Sequence, residues 1–421
     1  MPESFKNKEI KITLNKKGFN KYTKISVPVK YGIYSEIETK EYIFQFNLNN
    51  EIIRAKNKTD AWLSPSEWLK RTMGNDWIYY STGGYTGVFE AIGEYYLPNF
   101  QYPTNALIGG KPFKEPEVIK IITKWHDIIQ RINTEIEVPD KFQIFLDEIL
   151  KNSNKQLSKK SQGFFEISGR RVSVLPPDAR HTDYDVIPLN ISNGCRYNCR
   201  FCRVKTDETF SLIDSKEISN RVHAYKRFYG KDIVNYNSIF LGEHDALNSP
   251  IDLIMFAAKE SYDHFNFKNS YMEASNLFLF GSVDALLEKK DAAFRRLASL
   301  PFKIYINVGI ESFDQETLDI LGKPLTSKKV VQAYRKIREI NMSYDNIEIS
   351  SNFIFDDNLP DNHNVSFIKI LRKECTSFRD KGDVYLSPLR INKPSRAEIF
   401  KFHDLKIKSP VPTFLYIIQR L

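Results

Sequence analysis

The stretch Val186-Ile187-Pro188-Leu189-Asn190-Ile191-Ser192-Asn193-Gly194-Cys195-Arg196-Tyr197-Asn198-Cys199-Arg200-Phe201-Cys202 runs from an apolar segment straight into three cysteines. The apolar part reads as a strand and the cysteine part as the loop at its end. Three of the chain's four cysteines lie here. Three thiolates on one tight loop can bind three irons of a cubane [4Fe-4S] cluster and leave the fourth iron without a protein ligand. A substrate or cofactor can coordinate at that position. A zinc knuckle that recruits one of the seven histidines is the other use of such thiols. Zinc spacings generally come as two short halves, however, and this run is a single group.

Working outward, the chain after this point alternates strand and helix. Strands are predicted at 186–192, 238–241, 277–280, 303–308, 347–354 and 383–386, with helices at 218–229, 251–264, 292–300, 328–340 and 365–375. Six such repeats predict an α/β fold with a parallel sheet flanked by helices. Pro188 has no N–H to give to a central ladder, so the first strand is expected at a sheet edge. Parallel sheets of this kind bind ligands at the carboxyl ends of their strands, and the cysteine loop sits at one such end.

Upstream of about residue 152 the pattern is different. Alternating runs at 9–14, 24–29 and 42–47 predict antiparallel strands, and Ser64-Pro65-Ser66-Glu67 predicts the start of a short helix leading into Trp68 and Leu69. The tyrosine- and glycine-rich passage 77–102 fits a substrate-facing loop or an irregular packed one. Val118, Ile121, Ile122, Trp125, Ile128, Ile129 and Ile132 share one helical face, and a second helix is expected from Pro139. The polar stretch 151–162 reads as a linker, and 164–174 has hairpin character up to Pro176-Pro177. The resulting division is an N-terminal α+β domain at 1–152 acting as lid or substrate-binding unit, a linker and hairpin at 153–183, an α/β core at 184–392 and a helical extension at 393–421.

Composition sets the frame. A chain of 421 residues with 42% hydrophobic and 27% charged residues can bury a large core. No run approaches ~18 consecutive apolar residues, and the N-terminus lacks the apolar run of a signal peptide. Cysteine usage argues against a disulfide framework, so a reducing cytoplasmic setting without membrane contact is expected. The net charge of +9 comes from 61 basic and 52 acidic residues. One concentration, at 151–203, includes Lys159, Lys160, Arg170, Arg171, Arg180, Arg196, Arg200 and Arg203. It fits an anionic or RNA substrate, or a solvated basic face.

The C-x3-C-x2-C spacing, with an aromatic residue before the last cysteine, resembles the signature of the radical S-adenosylmethionine (SAM) superfamily. The strand-helix series resembles that family's partial (β/α)6 barrel, and the likeness runs from about 185 to 389. The resemblance implies that Cys195, Cys199 and Cys202 hold a [4Fe-4S] cluster. It also implies that SAM chelates the open iron and is cleaved to a 5′-deoxyadenosyl radical, with a flavodoxin- or ferredoxin-type reductant as partner. Phe240-Leu241-Gly242-Glu243-His244-Asp245-Ala246-Leu247 looks like the family's Gly-Gly-Glu turn, which makes Gly242, Glu243 and Asp245 candidates for binding SAM. Aligned on Ala246-Leu247, the acidic position falls at Asp245, with Glu243 and His244 replacing glycines; the ammonium acceptor is then Glu243 or Asp245. Val308-Gly309-Ile310-Glu311-Ser312-Phe313, followed by Leu321-Gly322-Lys323, resembles coproporphyrinogen-oxidase-like and elongator-like members. This implies that Glu311 contacts SAM, helix capping being its alternative. In Ser350-Ser351-Asn352-Phe353, Asn352 is expected against the adenosyl group.

Other residues divide between two uses. Arg180 and His181 fit an anion site on the barrel rim or simple turn chemistry. His244 fits a proton donor or a packed side chain. Cys375 fits a hydrogen-atom donor or a small buried residue. The chain has no second cysteine group and no Asp-x-His-x-x-Gly motif, which disfavours sulfur insertion, paired-cysteine methyl transfer and cobalamin binding. The expected function is a radical SAM enzyme acting on an unidentified substrate, a small molecule or RNA. An RNA-modifying enzyme and a non-catalytic zinc or iron–sulfur interaction module are the alternatives. No catalytic side chain beyond the cofactor ligands is identified.

Overall fold

The computed structural model describes residues 2–22, 30–60, 68–82, 96–100, 116–183, 185–197, 199–202, 208–375, 381–389, 396–416 and 421. Among these, the first eight strands form one antiparallel sheet in chain order: β1 (Ser4–Lys6), β2 (Ile10–Lys17), β3 (Ile33–Thr39), β4 (Tyr42–Phe46), β5 (Ile52–Asn57), β6 (Trp68–Arg71), β7 (Trp77–Thr82) and β8 (Tyr96–Phe100). Ile10 and Ile12 of β2 are buried while Lys11 between them is exposed, as one-sided burial of a strand requires. Helix α1 (Pro116–Glu135) buries Val118, Ile121, Trp125, Ile128, Ile129 and Ile132 in the core beneath the sheet. Helix α2 (Asp140–Leu150) follows Pro139 as expected.

Two local readings change. Trp68 and Leu69 belong to β6, hydrogen-bonded beside Tyr80 and Tyr79, and not to a helix. The start of that expected helix at 64–67 and the expected strand at 24–29 lie outside the described residues, as do 83–95 and Tyr102 of the tyrosine-rich passage. The second change concerns the linker and hairpin expected at 151–174, most of which is a single helix, α3 (Asn154–Ser168). Ser153 caps it by accepting from the Gln156 N–H, and Gly169 ends it with a left-handed φ of 81°. Its buried positions Leu157, Ser161, Phe164 and Ser168 keep helical spacing, but two of them are serines, which hid the apolar stripe.

The core is a seven-stranded, wholly parallel sheet in the order β17-β16-β15-β14-β13-β12-β9. Its strands are β9 (Ile187–Pro188), β12 (Ser238–Phe240), β13 (Asn276–Gly281), β14 (Lys303–Glu311), β15 (Ile347–Phe355), β16 (Val384–Pro388) and β17 (Thr413–Leu415). Connecting helices are α4 (Ser215–Tyr229), α5 (Ile251–His264), α6 (Val283–Glu288), α7 (Asp291–Ala298), α8 (Gln315–Leu321), α9 (Ser327–Ser343), α10 (Asp361–Glu374) and α11 (Arg396–Lys408). Helices begin where side chains cap them: Asp214, Ser282, Asp314 and Thr326 each accept a backbone N–H of the first turn. Pro188 occupies an edge strand. Residues 393–421 are not helical throughout, because β17 adds a seventh parallel strand beside β16.

The sheet is open, with no ladder between β9 and β17 among the described residues. A strap at 172–175 crosses this seam: the Tyr416 hydroxyl donates to the Leu175 carbonyl, and the Leu421 N–H to that of Val172. The strap leads into a short 3-10 turn, Pro177–Thr182, at the amino ends of the strands. There Asp178 accepts from Ser350 (2.7 Å) and Tyr385 (2.9 Å), Arg180 pairs with Asp383, and the His181 ring stacks on Tyr305 at 4.8 Å. Arg180 is therefore buried, and His181 partly so, at the end of the sheet opposite the cysteine loop, not on its rim. A charged group packed between strands needs partners, and Asp383 and the Tyr385 and Phe414 rings provide them for Arg180.

The N-terminal sheet also meets the core mainly at the amino ends of strands. Asn235 bonds the backbone of Ile33, Asp232 accepts from the Leu48 N–H, and Tyr271 donates to the Gly18 carbonyl. Lys70 lies buried between Asp183 (2.9 Å) and Asp185 (2.8 Å).

Candidate active site

The cysteine loop is pinned at both ends. Antiparallel strands β10 (Ser192–Asn193) and β11 (Ser211–Leu212) close its base, and the Ile213 N–H donates to the Ile191 carbonyl at 2.9 Å. Gly194 has φ of 67°, and a Cβ there would stand 2.5 Å from the Glu208 carbonyl oxygen, so no other residue fits this turn. The Arg200 N–H and guanidinium donate to the carbonyls of Leu321 and Asp319, fixing the loop to the end of α8. Cys199 is buried, and Cys195 and Cys202 are partly so. Burial raises the Cys195 thiol and pushes that of Cys199 up to about 11, with nearby Lys323 opposing the second shift.

The three cysteines open onto a cavity of about 220 Å³ at the carboxyl ends of the strands. Its walls include Glu243, His244, Asp245, Glu311 and Asn352, so residues from four separate sequence segments share one space. Gly242 does not line it; with φ of 128° it turns the chain at the end of β12. The segment 387–389 and Tyr416 close one side, while Tyr197 and Phe201 flank the thiols.

The carboxylates differ in what they hold. Glu243 Oε1 accepts from the Ser173 N–H, the Ser173 hydroxyl (2.9 Å) and the Val174 N–H (2.8 Å), so it fastens the strap. Asp245 Oδ1 accepts the Ser282 N–H at 2.7 Å, whereas its Oδ2 is buried with no hydrogen-bond partner. Burial holds the Asp245 carboxyl above the usual range. Glu311 has a left-handed φ of 66° at a register shift between β14 and β15. That strained backbone turns it beside Lys323, whose Nζ lies 3.1 Å from Oε1 and 2.6 Å from the Gly309 carbonyl oxygen. Asn352 exchanges amide contacts with Asn307, donating at 2.7 Å, and Asn307 donates to Ser350 at 2.8 Å.

Lys323 and Asn307 were not among the residues singled out from sequence. Gly322-Lys323 was in view, but nothing in the sequence shows a lysine folding back across α8 to a carboxylate twelve residues earlier. Cys375 is outside the cavity, buried with its sulfur 3.3 Å from the Tyr334 hydroxyl, which fits the packing reading.

Residues 189–355 match the family model described as the radical SAM superfamily. Residues 189–355 therefore carry a radical SAM superfamily domain. No curated protein matches it. Among solved structures, its fold is similar to that of a radical SAM methyltransferase from Sphaerobacter thermophilus, at 15% identity and a TM-score of 0.39 over 55% of this chain and 65% of the other. It is also similar to methylornithine synthase, at 10% identity and a TM-score of 0.35 over 69% and 86% of the two chains. A third is Streptococcus suis SuiB bound to S-adenosylmethionine, at 10% identity and a TM-score of 0.34 over 72% and 63%. The chain thus covers a little under two thirds of the methyltransferase's length.

A radical SAM domain implies SAM and an iron–sulfur cluster, and the residues present fit both. Three thiols on one pinned loop form an all-sulfur donor set of the kind iron–sulfur clusters use. The partnerless Asp245 Oδ2 in the same cavity suits an ammonium donor. Among the described residues, no helix is long and apolar enough to cross a membrane.

Proposed function

We propose that Cys195, Cys199 and Cys202 hold a [4Fe-4S] cluster and that the cavity beside them binds SAM for reductive cleavage, with the resulting radical acting on a small-molecule substrate. The observation that carries this reading is the cavity that the three thiols share with Asp245, whose Oδ2 is buried without a hydrogen-bond partner. When bound, the cluster supplies one electron to the SAM sulfonium, giving methionine and a 5′-deoxyadenosyl radical.

The chain's own groups prepare that event. Asp245 accepts the SAM ammonium, while Glu243 is occupied by the strap. Glu311, oriented by Lys323, and the Asn352–Asn307 pair offer polar contacts to the ribose and adenine. Tyr197, locked by its hydroxyl on Asp284 at 2.7 Å, and Phe201 keep water from the cysteine side. A flavodoxin- or ferredoxin-type reductant and a cytoplasmic setting belong to the same proposal.

A small molecule is favoured over RNA because much of the basic stretch that suggested RNA is neutralised within the chain. Lys160 pairs with Glu51, Arg170 with Glu208, Arg171 with Asp76, Arg180 with Asp383 and Arg196 with Glu288. The test is anaerobic reconstitution with iron and sulfide, followed by dithionite and SAM. Wild type should form 5′-deoxyadenosine, and Cys199→Ala should form none. Zinc bound one-to-one at the thiols, or turnover surviving in the variant, would overturn the proposal.

A further inference from the structure

Away from the cavity, His223 on α4 and Glu260 and His264 on α5 form a compact group on the outer face of the helical layer. One ligand atom from each lies within 4.8 Å of the others. The imidazole rings meet edge to face with centroids 4.4 Å apart. Glu260 and His264 are one helical turn apart, so they share a face of α5, and α4 packs alongside with the Ser219 hydroxyl donating to Glu260 Oε1.

The hydrogen bonds already present prepare both histidines as ligands. His223 Nδ1 lies 2.8 Å from the Ser219 carbonyl oxygen, and His264 Nδ1 lies 3.2 Å from that of Glu260. A carbonyl oxygen can only accept, so in the neutral ring each Nδ1 carries the proton and each Nε2 keeps its lone pair. A backbone carbonyl on the second ring nitrogen is the usual support of a metal-bound histidine, because it fixes the tautomer and the ring plane. Two imidazole nitrogens and a carboxylate oxygen suit zinc and neighbouring first-row divalent ions. Bonds of ~2.0–2.1 Å would bring tetrahedral donors to about 3.3 Å from one another. Small side-chain rotations close that gap, since His223 is exposed and the other two residues are partly so.

We infer that His223, Glu260 and His264 bind a divalent transition-metal ion of the zinc class, one that clamps α4 to α5. The site is separate from the cysteine loop, since none of its residues lines the cavity. Water completes the coordination on the solvent side. The ion acts on stability, because it joins two helices that, among the described residues, meet through packing, the His223–His264 ring contact and the Ser219–Glu260 bond.

The probe is Zn²⁺ alone, added to the full-length chain and counted by equilibrium dialysis with elemental analysis. The cysteines themselves take up zinc, so the informative quantity is a difference between proteins. Wild type should hold one equivalent more than His223→Asn or His264→Asn. Zinc should raise the melting temperature of wild type by several degrees more than that of either variant. A chain with Cys195, Cys199 and Cys202 all replaced by serine should still bind one Co²⁺, with a visible spectrum free of sulfur charge-transfer bands. That measurement stands even if a histidine variant misfolds. Equal stoichiometry in wild type and variants, or no Co²⁺ bound by the triple-serine chain, would overturn the inference. Neither result bears on SAM cleavage at the cysteine loop.

Discussion

Lys323 Nζ sits 3.1 Å from Glu311 Oε1, and both side chains are buried in the cavity wall. Such a pair gains little over an apolar substitute, yet losing one member strands the other charge out of water, typically at ~3–5 kcal/mol. We expect Lys323→Met to lower unfolding stability by about that amount. Adding Glu311→Gln should recover most of the loss, so a double-mutant cycle by urea titration measures the coupling. Additive losses would show that the two side chains act independently.

Asp245→Asn tests the ammonium acceptor. The amide keeps a carbonyl oxygen for the Ser282 N–H but removes the charge. A charge-assisted hydrogen bond is worth about 1.5–3 kcal/mol, which converts to a loss of roughly 10- to 150-fold in SAM affinity. Calorimetry on anaerobically reconstituted protein should register it, with folding stability unchanged or improved. An unaltered Kd would remove Asp245 from the SAM site.

Glu243→Ala should behave in the opposite way. It leaves the N–H groups of Ser173 and Val174 without their acceptor, a cost of about 1–3 kcal/mol for a buried donor. Stability and the proteolytic resistance of the strap should fall. The loss in SAM affinity should be smaller than that of Asp245→Asn. A variant as stable as wild type would deny Glu243 its fastening role.

The polar turn beneath the sheet predicts a pH dependence. Burial pushes Asp178 up to about 8 from its ordinary 3.8, despite hydrogen bonds from Ser350 and Tyr385. The folded state therefore holds a proton that the unfolded chain releases, and stability falls as pH rises from about 4 to 8, by at most ~1.4 kcal/mol per unit for this one group. Burial and the Arg180 charge push His181 the other way, to about 3 from 6.5. An unfolded histidine binds protons in that interval, so His181 makes stability rise with pH between about 3 and 6.5 and masks the first trend. The clean window is pH 6.5–8, where wild type should lose stability and Asp178→Asn should lose less, as read from urea midpoints. Parallel profiles for the two proteins would mean that Asp178 ionises normally.

How much of this was legible beforehand depended on how local the determining contacts are. Ile304, Ile306 and Val308, or Ile347 and Ile349, declare buried parallel strands by themselves, and 251–264 matched its helix because one apolar face and a leading proline define it. The cysteine run carries its chemistry in its spacing. Helix α3 was missed because its inward positions include Ser161 and Ser168. Strand β17 was missed because three residues give no period. Glu243 and Asp245 were indistinguishable in sequence, and they separate only when Ser173, seventy residues upstream, claims one of them. Arg180 and His181 read as a rim anion site or as turn residues because their partners, Asp383 and Tyr305, are more than a hundred positions away.

The unpaired borders of the parallel sheet would ordinarily invite a second molecule to add a strand. Here one border includes Pro188, whose backbone has no hydrogen to offer, and the residues just past the other are tied to Val172 and Leu175. The fold thus stays open toward a ligand without exposing two free templates for polymerisation. A substitution that frees the 172–175 crossing would then be felt first as self-association on storage, before any fall in turnover.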